Sequence, residues 1–308
     1  MITKKRILIT GGAGFIGSHV CDALISNDNK LIIVDDLSTG YESNIEHILD
    51  KVDFYHEKIE ELDLNSIGKV DGIIHLAAQT SVPLSIEQFK VSSLTNIHGF
   101  LNVVDFRKED GIPLIFASSS AIYGNLSIGN DESGEIDLIS PYASDKYTME
   151  LYGKMANRLF NLPNIGLRFF NVYGPRQDPS SQYSGVISVF ISQMKNKESV
   201  TIHGGHQTRD FIYVSDVVAG IILSMSHLFH KSLYDQINLL TGSSTSINEL
   251  FRKLADILGY DQEPKYTELL LGDPEQSDGT TNKMKTILSL NPEFFVKLDD
   301  GLKNTIDF

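Results

Sequence analysis

Through the first half of the chain, short runs of β-branched and other apolar residues alternate with segments whose apolar positions recur every three or four residues. Residues 6–10, 31–35, 52–56, 71–75 and 112–117 are apolar on consecutive positions, which predicts strands covered on both faces. Between them, residues 15–27, 41–49, 91–108 and 141–160 carry helical spacing. Repeated strand–helix order predicts an α/β fold with a doubly wound parallel sheet, closed by a sixth strand over 165–170. The texture then changes. Residues 171–183 (NVYGPRQDPSSQY) read as loop, and later elements are short and separated by Gly, Ser and Pro. The expected division is a larger domain, 1–170, with 210–240 returning to pack on it, and a smaller α/β domain built from 171–209 and 241–308.

Composition narrows the class. With 308 residues, 41% hydrophobic and 21% charged, the chain is too apolar for disorder and long enough for a large core. Its most apolar stretch, 217–229, is shorter than the ~20 residues of a membrane span. The start, MITKKRILIT, runs directly into a strand and a glycine turn without a signal-peptide core. One cysteine excludes a disulfide framework and a cysteine zinc site. A soluble, cytoplasmic protein is expected. The net charge of −14 disfavours nucleic acid and anionic membranes as partners and otherwise serves solubility.

Directly after the first strand stands Gly11-Gly12-Ala13-Gly14-Phe15-Ile16-Gly17. Glycines in this register let a tight turn bring backbone N–H groups to a pyrophosphate at a helix N-terminus, where the dipole favours negative charge. The second strand ends in Asp35, 24 residues past Gly11. A carboxylate there binds the two ribose hydroxyls of an adenosine and repels a 2′-phosphate, so the motif predicts a Rossmann sheet that takes NAD in preference to NADP.

Further on, Ser140-Pro141 reads as an N-cap and first helical position, which sets Tyr142 and Lys146 one turn apart on one helix face. A lysine ammonium beside a phenol lowers a pKa that is ordinarily near 10 and makes the tyrosine a general base. Chance supplies about one Tyr-x-x-x-Lys in a chain of this length, so position carries the argument. The pair follows the fifth strand run, which ends Ser118-Ser119-Ser120, and the C-terminal edge of a parallel sheet is where ligands bind.

These segments resemble the extended short-chain dehydrogenase/reductase family, and within it the nucleotide-sugar epimerases. The carriers are TGGAGFIGSH (10–19), VDDLSTG (34–40), HLAAQTSVPLSI (75–86), SSSAIYG (118–124), SPYASDK (140–146), RFFNVYGPRQDP (168–179) and RDFIYVSDVV (209–218). The nearest branch is similar to the UDP-N-acetylglucosamine 4-epimerases. The resemblance implies Tyr142 as catalytic base, Lys146 as the lysine that binds the nicotinamide ribose, and Ser119 as the substrate-side hydroxyl. It implies cofactor contacts from Gly11, Gly14, Phe15, Ile16, Gly17, Asp35, Leu37, Ser38, Ile59, Leu76, Ala77, Ala78 and Asn96, the last a buried structural asparagine. Ser81, Ser120, Asn171, Gln177, Gly185, Val186, Arg209 and Ser277 are implied for the UDP-sugar, Arg209 on the diphosphate. It also implies a homodimer formed through the helices at 91–108 and 141–160.

The implied reaction is a 4-epimerisation by transient oxidation at C4 of the sugar. Related dehydratases and decarboxylases carry a carboxylate just after the catalytic hydroxyl residue. Here Ser120-Ala121 stands there, so elimination lacks its proton donor. Ser277, five residues after Gly272, replaces the bulky tyrosine of glucose-only epimerases and leaves room for an N-acetyl group, which makes UDP-GlcNAc and UDP-GalNAc the expected substrates. UDP-glucose or a UDP-uronate is the alternative. Two positions depart from the family pattern. Leu270 replaces an arginine that grips the diphosphate, a role left to Arg209 or Lys265. Lys58 replaces an aspartate at the adenine, and an ammonium cannot accept the amino hydrogen bond.

No third ligand accompanies His227 and His230, so no metal site is expected. Cys21 reads as core packing, His75 as the end of the fourth strand, and residues 57–63 as a solvated helix face. Two rivals remain, a net 4-keto-sugar reductase of the same fold and a catalytically idle NAD-binding scaffold.

Overall fold

Ile7, Leu8 and Ile9 in β1 (Arg6–Thr10) are all removed from solvent, although neighbours along a strand point to opposite faces. Such a strand needs cover on both sides. The computed structural model, which describes residues 2–108, 110–126, 134–179, 185–270 and 272–308, supplies that cover. In chain order follow α1 (Phe15–Ile25), β2 (Lys30–Val34), β3 (Val52–Tyr55), β4 (Gly72–His75), α2 (Val82–Glu87), α3 (Phe89–Ser93), a π turn at Leu94–His98, α4 (Gly99–Arg107) and β5 (Leu114–Ser119). Then come α5 (Pro141–Phe160), β6 (Asn164–Phe169), β7 (Asn171–Tyr173), α6 (Val186–Lys195), β8 (Thr201–His203), β9 (Thr208–Tyr213), α7 (Val214–Leu228) and β10 (Tyr234–Leu239). The chain finishes with β11 (Ser244–Ser246), α8 (Ile247–Leu258), β12 (Lys265–Thr267), β13 (Gln276–Ser277), α9 (Asn282–Leu288) and α10 (Leu298–Asp307).

Seven strands form one parallel sheet in the order β10-β6-β5-β4-β1-β2-β3. One apolar core packs α1 and α7 against it, and a second packs α4 and α5 on the opposite face. The order reverses between β1 and β4, and the crevice beyond their carboxyl ends is the expected ligand position. A smaller group of strands centres on β9, with β11, β13 and β7 as neighbours, and β12 pairs with β8. Its own core joins α6, α8 and α10.

Several expected elements differ. The sheet closes on β10, not on the sixth strand run, because Leu233 and Tyr234 onward supply the outer hydrogen bonds of β6. Residues 41–49 form two short 3₁₀ turns, Glu42–Asn44 and Glu46–Lys51, instead of an α-helix. There Tyr41 N–H and Asn44 Nδ2 both donate to the Ala13 carbonyl, so tertiary bonds to the glycine turn outweigh a helix too short to form alone. In place of the single helix expected over 91–108 stand α3 and α4, joined by the π turn, with α3 preceded by α2 across a break at Gln88. Residues 57–63 are turns, with Asn102 Nδ2 donating to the Ile59 and Leu62 carbonyls that a helix would have used itself. Residues 171–173 make strand β7 where a loop was expected, and within 210–230 α7 packs against the large sheet's core together with Ile212 of β9, although Thr208–Tyr213 pairs in the small sheet.

Candidate active site

The glycine turn divides its labour. A Cβ on Gly11 (φ +72°) would lie 2.7 Å from the Ala77 amide nitrogen, and one on Gly17 would lie 2.0 Å from the Gly11 carbonyl oxygen. These glycines are demanded by the chain's own close packing. Only Gly14 meets nothing nearer than 3.2 Å, so it is the position whose bareness opens space. Gly14 is also the N-cap of α1 and offers no side-chain cap, which leaves the first amides of the helix, at Phe15 and Ile16, as donors for an anion. Leu76 N–H donates to the Thr10 carbonyl and Ala77 N–H to Thr10 Oγ1, which sets residues 76–78 against the turn.

Asp35, expected at the ribose hydroxyls, also staples the fold: Oδ2 accepts from Ala13 N–H at 2.9 Å and Oδ1 from Leu37 N–H at 2.9 Å. A carboxylate has about four acceptor positions, so the backbone bonds leave acceptor capacity over. Burial pushes its pKa up, and those backbone hydrogen bonds oppose the rise. Leu37 is held at φ +57° by this bond, and Ser38 N–H donates to Asp36 Oδ1. Ile59 is buried against Gly99, whereas Lys58 is exposed and lies 3.6 Å from Glu61.

The fifth strand and α5 bring the reactive groups together. Ser140 Oγ accepts from Ala143 N–H and caps α5, with Pro141 in the first turn, as predicted. Ser119 Oγ accepts from Ala121 N–H at 3.1 Å and hydrogen-bonds the Tyr142 hydroxyl. Lys146 lies 5.7 Å from the centre of the Tyr142 ring and donates Nζ–H to the Ala117 carbonyl at 2.9 Å. Burial pushes Tyr142 up, the Ser119 bond opposes this, and Asp145 adds to it. The lowering expected from Lys146 does not appear, and desolvation of the phenol sets the direction. Burial also lowers Lys146 to about 8.

Tyr142, Ser119 and Ser120 open onto a cavity of about 530 Å³, whose far wall includes Asn171, Val186, Arg209 and Ser277. Asn171 Nδ2 lies 3.5 Å from Ser277 Oγ. Arg209 pairs with Asp273. Leu270 also lines the cavity, and Lys265 does not. Three of the residues implied for the sugar stand differently. Ser81 Oγ is spent as the N-cap of α2, accepting from Leu84 N–H at 3.0 Å, while Thr80 and Val82 line the wall. Gln177 and Gly185 abut one another outside the lining, and Gln177 Nε2 donates to the Val172 carbonyl at 3.3 Å.

Asn96 is buried, as the resemblance implied, but its partners and the other polar supports beneath the site were missed by sequence reasoning. Asn96 Oδ1 accepts from Gln79 N–H, and its Nδ2 donates to Asp145 Oδ2. Glu150 takes two hydrogen bonds from Arg168 and one from Ser118, and Arg168 Nη1 also reaches the Tyr123 hydroxyl. The signal was present: Glu150 falls one further turn past Lys146, and Arg168 is a cation inside an otherwise apolar strand. His75 Nδ1 meets Thr10 Oγ1 at 2.8 Å, and burial lowers its pKa to about 3, so it is neutral. Cys21 is buried, as expected.

Comparison with known proteins agrees with this geometry. The model of the NAD dependent epimerase/dehydratase family matches residues 7–239. A putative UDP-glucose 4-epimerase of Methanocaldococcus jannaschii is 38% identical, over 98% of this chain and 97% of its own. Among solved structures, the UDP-glucose 4-epimerase of Thermotoga maritima with UDP-glucose has a TM-score of 0.91 at 38% identity, covering 98% of this chain and 97% of that one. The UDP-N-acetylglucosamine 4-epimerase from Methanobrevibacter ruminantium M1, in complex with UDP-N-acetylmuramic acid, has a TM-score of 0.93 at 37% identity, covering 99% and 98%. Among the described residues no helix is long and apolar enough to cross a membrane. With a bare glycine turn, an uncapped helix start and an acid at the end of β2, the chain belongs to the NAD dependent epimerase/dehydratase family.

Proposed function

We propose that this protein interconverts the C4 epimers of a UDP-sugar, with UDP-GlcNAc and UDP-GalNAc as the preferred pair. The observation that carries the reading is that Ser119 and Tyr142 face one cavity, with Lys146 5.7 Å from the phenol ring and the glycine turn at the same carboxyl edge of the sheet. Residues 1–170 and 210–240 hold the cofactor in this reading, and 171–209 with 241–308 hold the nucleotide sugar. The amides at the start of α1 take the pyrophosphate and the open acceptor positions of Asp35 take the ribose.

Tyr142 draws the proton from the sugar 4-hydroxyl, with Ser119 holding both oxygens in line. Lys146 keeps positive charge beneath the phenol, which favours the phenolate as the proton arrives and leaves. Bound NAD supplies the acceptor for the C4 hydride and then its return. The 4-keto sugar turns over between the two transfers, and Tyr142 gives its proton back. Oxidation and reduction cancel, so no external reductant is consumed. Arg209 swings from Asp273 to anchor the diphosphate, which keeps the ketone in the cavity while the hexose rotates.

Ser277 and Asn171 form the wall beside the sugar in this reading, and the small serine leaves room for an N-acetyl group. Incubation with UDP-GlcNAc, UDP-glucose and UDP-glucuronate, without added reductant, is expected to yield the 4-epimer of UDP-GlcNAc fastest. Ser277→Tyr is expected to cut hexosamine turnover by roughly 100-fold while UDP-glucose turnover stays within about threefold, as filling a pocket penalises only the larger substrate. Equal losses on both sugars would overturn the wall. Stoichiometric NADH demand would favour a reductase instead.

The chain is also proposed to act as a homodimer. Phe89 and Val91 on α3 are 63% and 58% exposed, and Leu151, Met155 and Leu159 (62% exposed) repeat every four residues along α5. Contiguous exposed apolar side chains of this kind mark a protein interface. Light scattering is expected to give twice the chain mass for the wild type and the single mass for Leu159→Glu. A monomeric wild type at micromolar concentration rules the interface out.

A further inference from the structure

Lys146 is buried, and among the described residues no carboxylate forms an ion pair with it; its one hydrogen bond is to the Ala117 carbonyl. An ammonium removed from water without an anion in contact tends to lose its proton. One residue earlier, Asp145 is also buried, and both of its oxygens are occupied from outside α5. Ser93 Oγ donates to Oδ1 at 2.7 Å, and Asn96 Nδ2 donates to Oδ2 at 3.1 Å. Asn96 is fixed in turn by Gln79, since it accepts from that residue's N–H and donates to its carbonyl. It lies in the π turn, a rare geometry that here delivers a side chain inward between two helices. The clasp therefore holds an anion close to Lys146 without letting the two groups pair.

We propose that Asp145 is a positioning residue: a fixed, buried counter-charge, clasped by Ser93 and Asn96, that keeps Lys146 cationic beneath Tyr142. This rests on the reading of Tyr142 and Lys146 as the working pair.

The surrounding groups leave this role to Asp145. From β4, His75 faces Lys146 but is held neutral. Glu150, one turn further along α5, is engaged by Arg168 and Ser118. From β5 the Ala117 carbonyl accepts from Lys146 and brings no full charge. Asp145 favours protons on both members of the pair, since a nearby negative charge opposes loss of a proton from lysine and from phenol alike. The sign of its removal follows. Without that charge both groups deprotonate at lower pH, so the two limbs of the profile move together toward acid.

The test is the pH profile of kcat for the NAD-loaded enzyme with UDP-GlcNAc and UDP-glucose. Asp145→Asn is expected to move both limbs down by about half to one pH unit, with KM changed less than about twofold. Asp145→Ser, a second neutral variant that Ser93 and Asn96 can still hydrogen-bond, should do the same. Ser93→Ala weakens the clasp but keeps the charge, and should leave the limbs in place. Loss of activity in Asp145→Asn with unmoved limbs would make the residue a helix tie and overturn the proposal. Titration of the phenol by ultraviolet difference absorbance, against Tyr142→Phe, reads the same shift without turnover. Absence of epimerisation on every UDP-sugar, with the absorbance shift intact, would instead sink the assigned reaction and spare the role of Asp145.

Discussion

Tyr142→Phe is expected to lower kcat on the preferred UDP-sugar by roughly 10²–10⁴-fold, the usual worth of a positioned general base. The substitution removes one oxygen from a ring that is otherwise packed in place, so fold and NAD retention should be unchanged. Ser119 would lose its partner but keeps the bond from the Ala121 amide. KM should move little, since the phenol acts on a proton in flight more than on the resting sugar. Turnover measured with and without the hydroxyl, alongside the bound NAD content of each preparation, checks this directly. A scaffold protein would show no difference between the two, and a drop below tenfold would mean that another group takes the proton.

Arg168→Met is expected to destabilise the fold by about 3–5 kcal/mol, because it leaves a buried carboxylate without its cation. The Arg168 and Glu150 side chains are only 2% and 3% exposed and meet through two hydrogen bonds of 2.7–2.8 Å. The pair also ties the Ser118 hydroxyl to α5 and the Tyr123 hydroxyl to β6, and Tyr123 passes the chain on to Asn238 in β10. It thus fixes α5 against the end of the strand that carries Ser119. Chemical denaturation measures the loss. The double variant Arg168→Met with Glu150→Met should recover much of it, since two apolar side chains leave no bare charge. A double variant less stable than either single one would show that the pair itself, more than the orphaned ion, supplies the stability. Turnover should fall even in the recovered variant, as the register of α5 on β5 is then held by packing alone.

The parallel sheet was legible because its strands are apolar on consecutive positions, which only double-sided cover satisfies. Gly11, Gly14, Gly17 and Asp35 were legible because backbone geometry and a carboxylate each have few substitutes, although their labour is divided differently from the expectation. Tyr142 and Lys146 were legible from one helical turn and a cap. What failed to show was everything fixed by groups far apart in sequence. The turns at 41–49 answer to the Ala13 carbonyl, and the π turn answers to Asp145 and Gln79. Ser81 belongs to a helix cap, not to the cavity wall.

The pKa of Tyr142 is the clearest case. Local spacing set a cation beside the phenol and so predicted a lowered value, yet the packing of β5, α5 and the helices over them removes water from both groups and pushes the phenol up. Periodicity, turn chemistry and capping are properties of neighbours along the chain, and the amino-acid order determines them alone. Desolvation depends on what arrives from elsewhere, so the ionisation of the pair, the clasp on Asp145 and the shape of the cavity beside Ser119 and Tyr142 were decided only when the chain closed on itself.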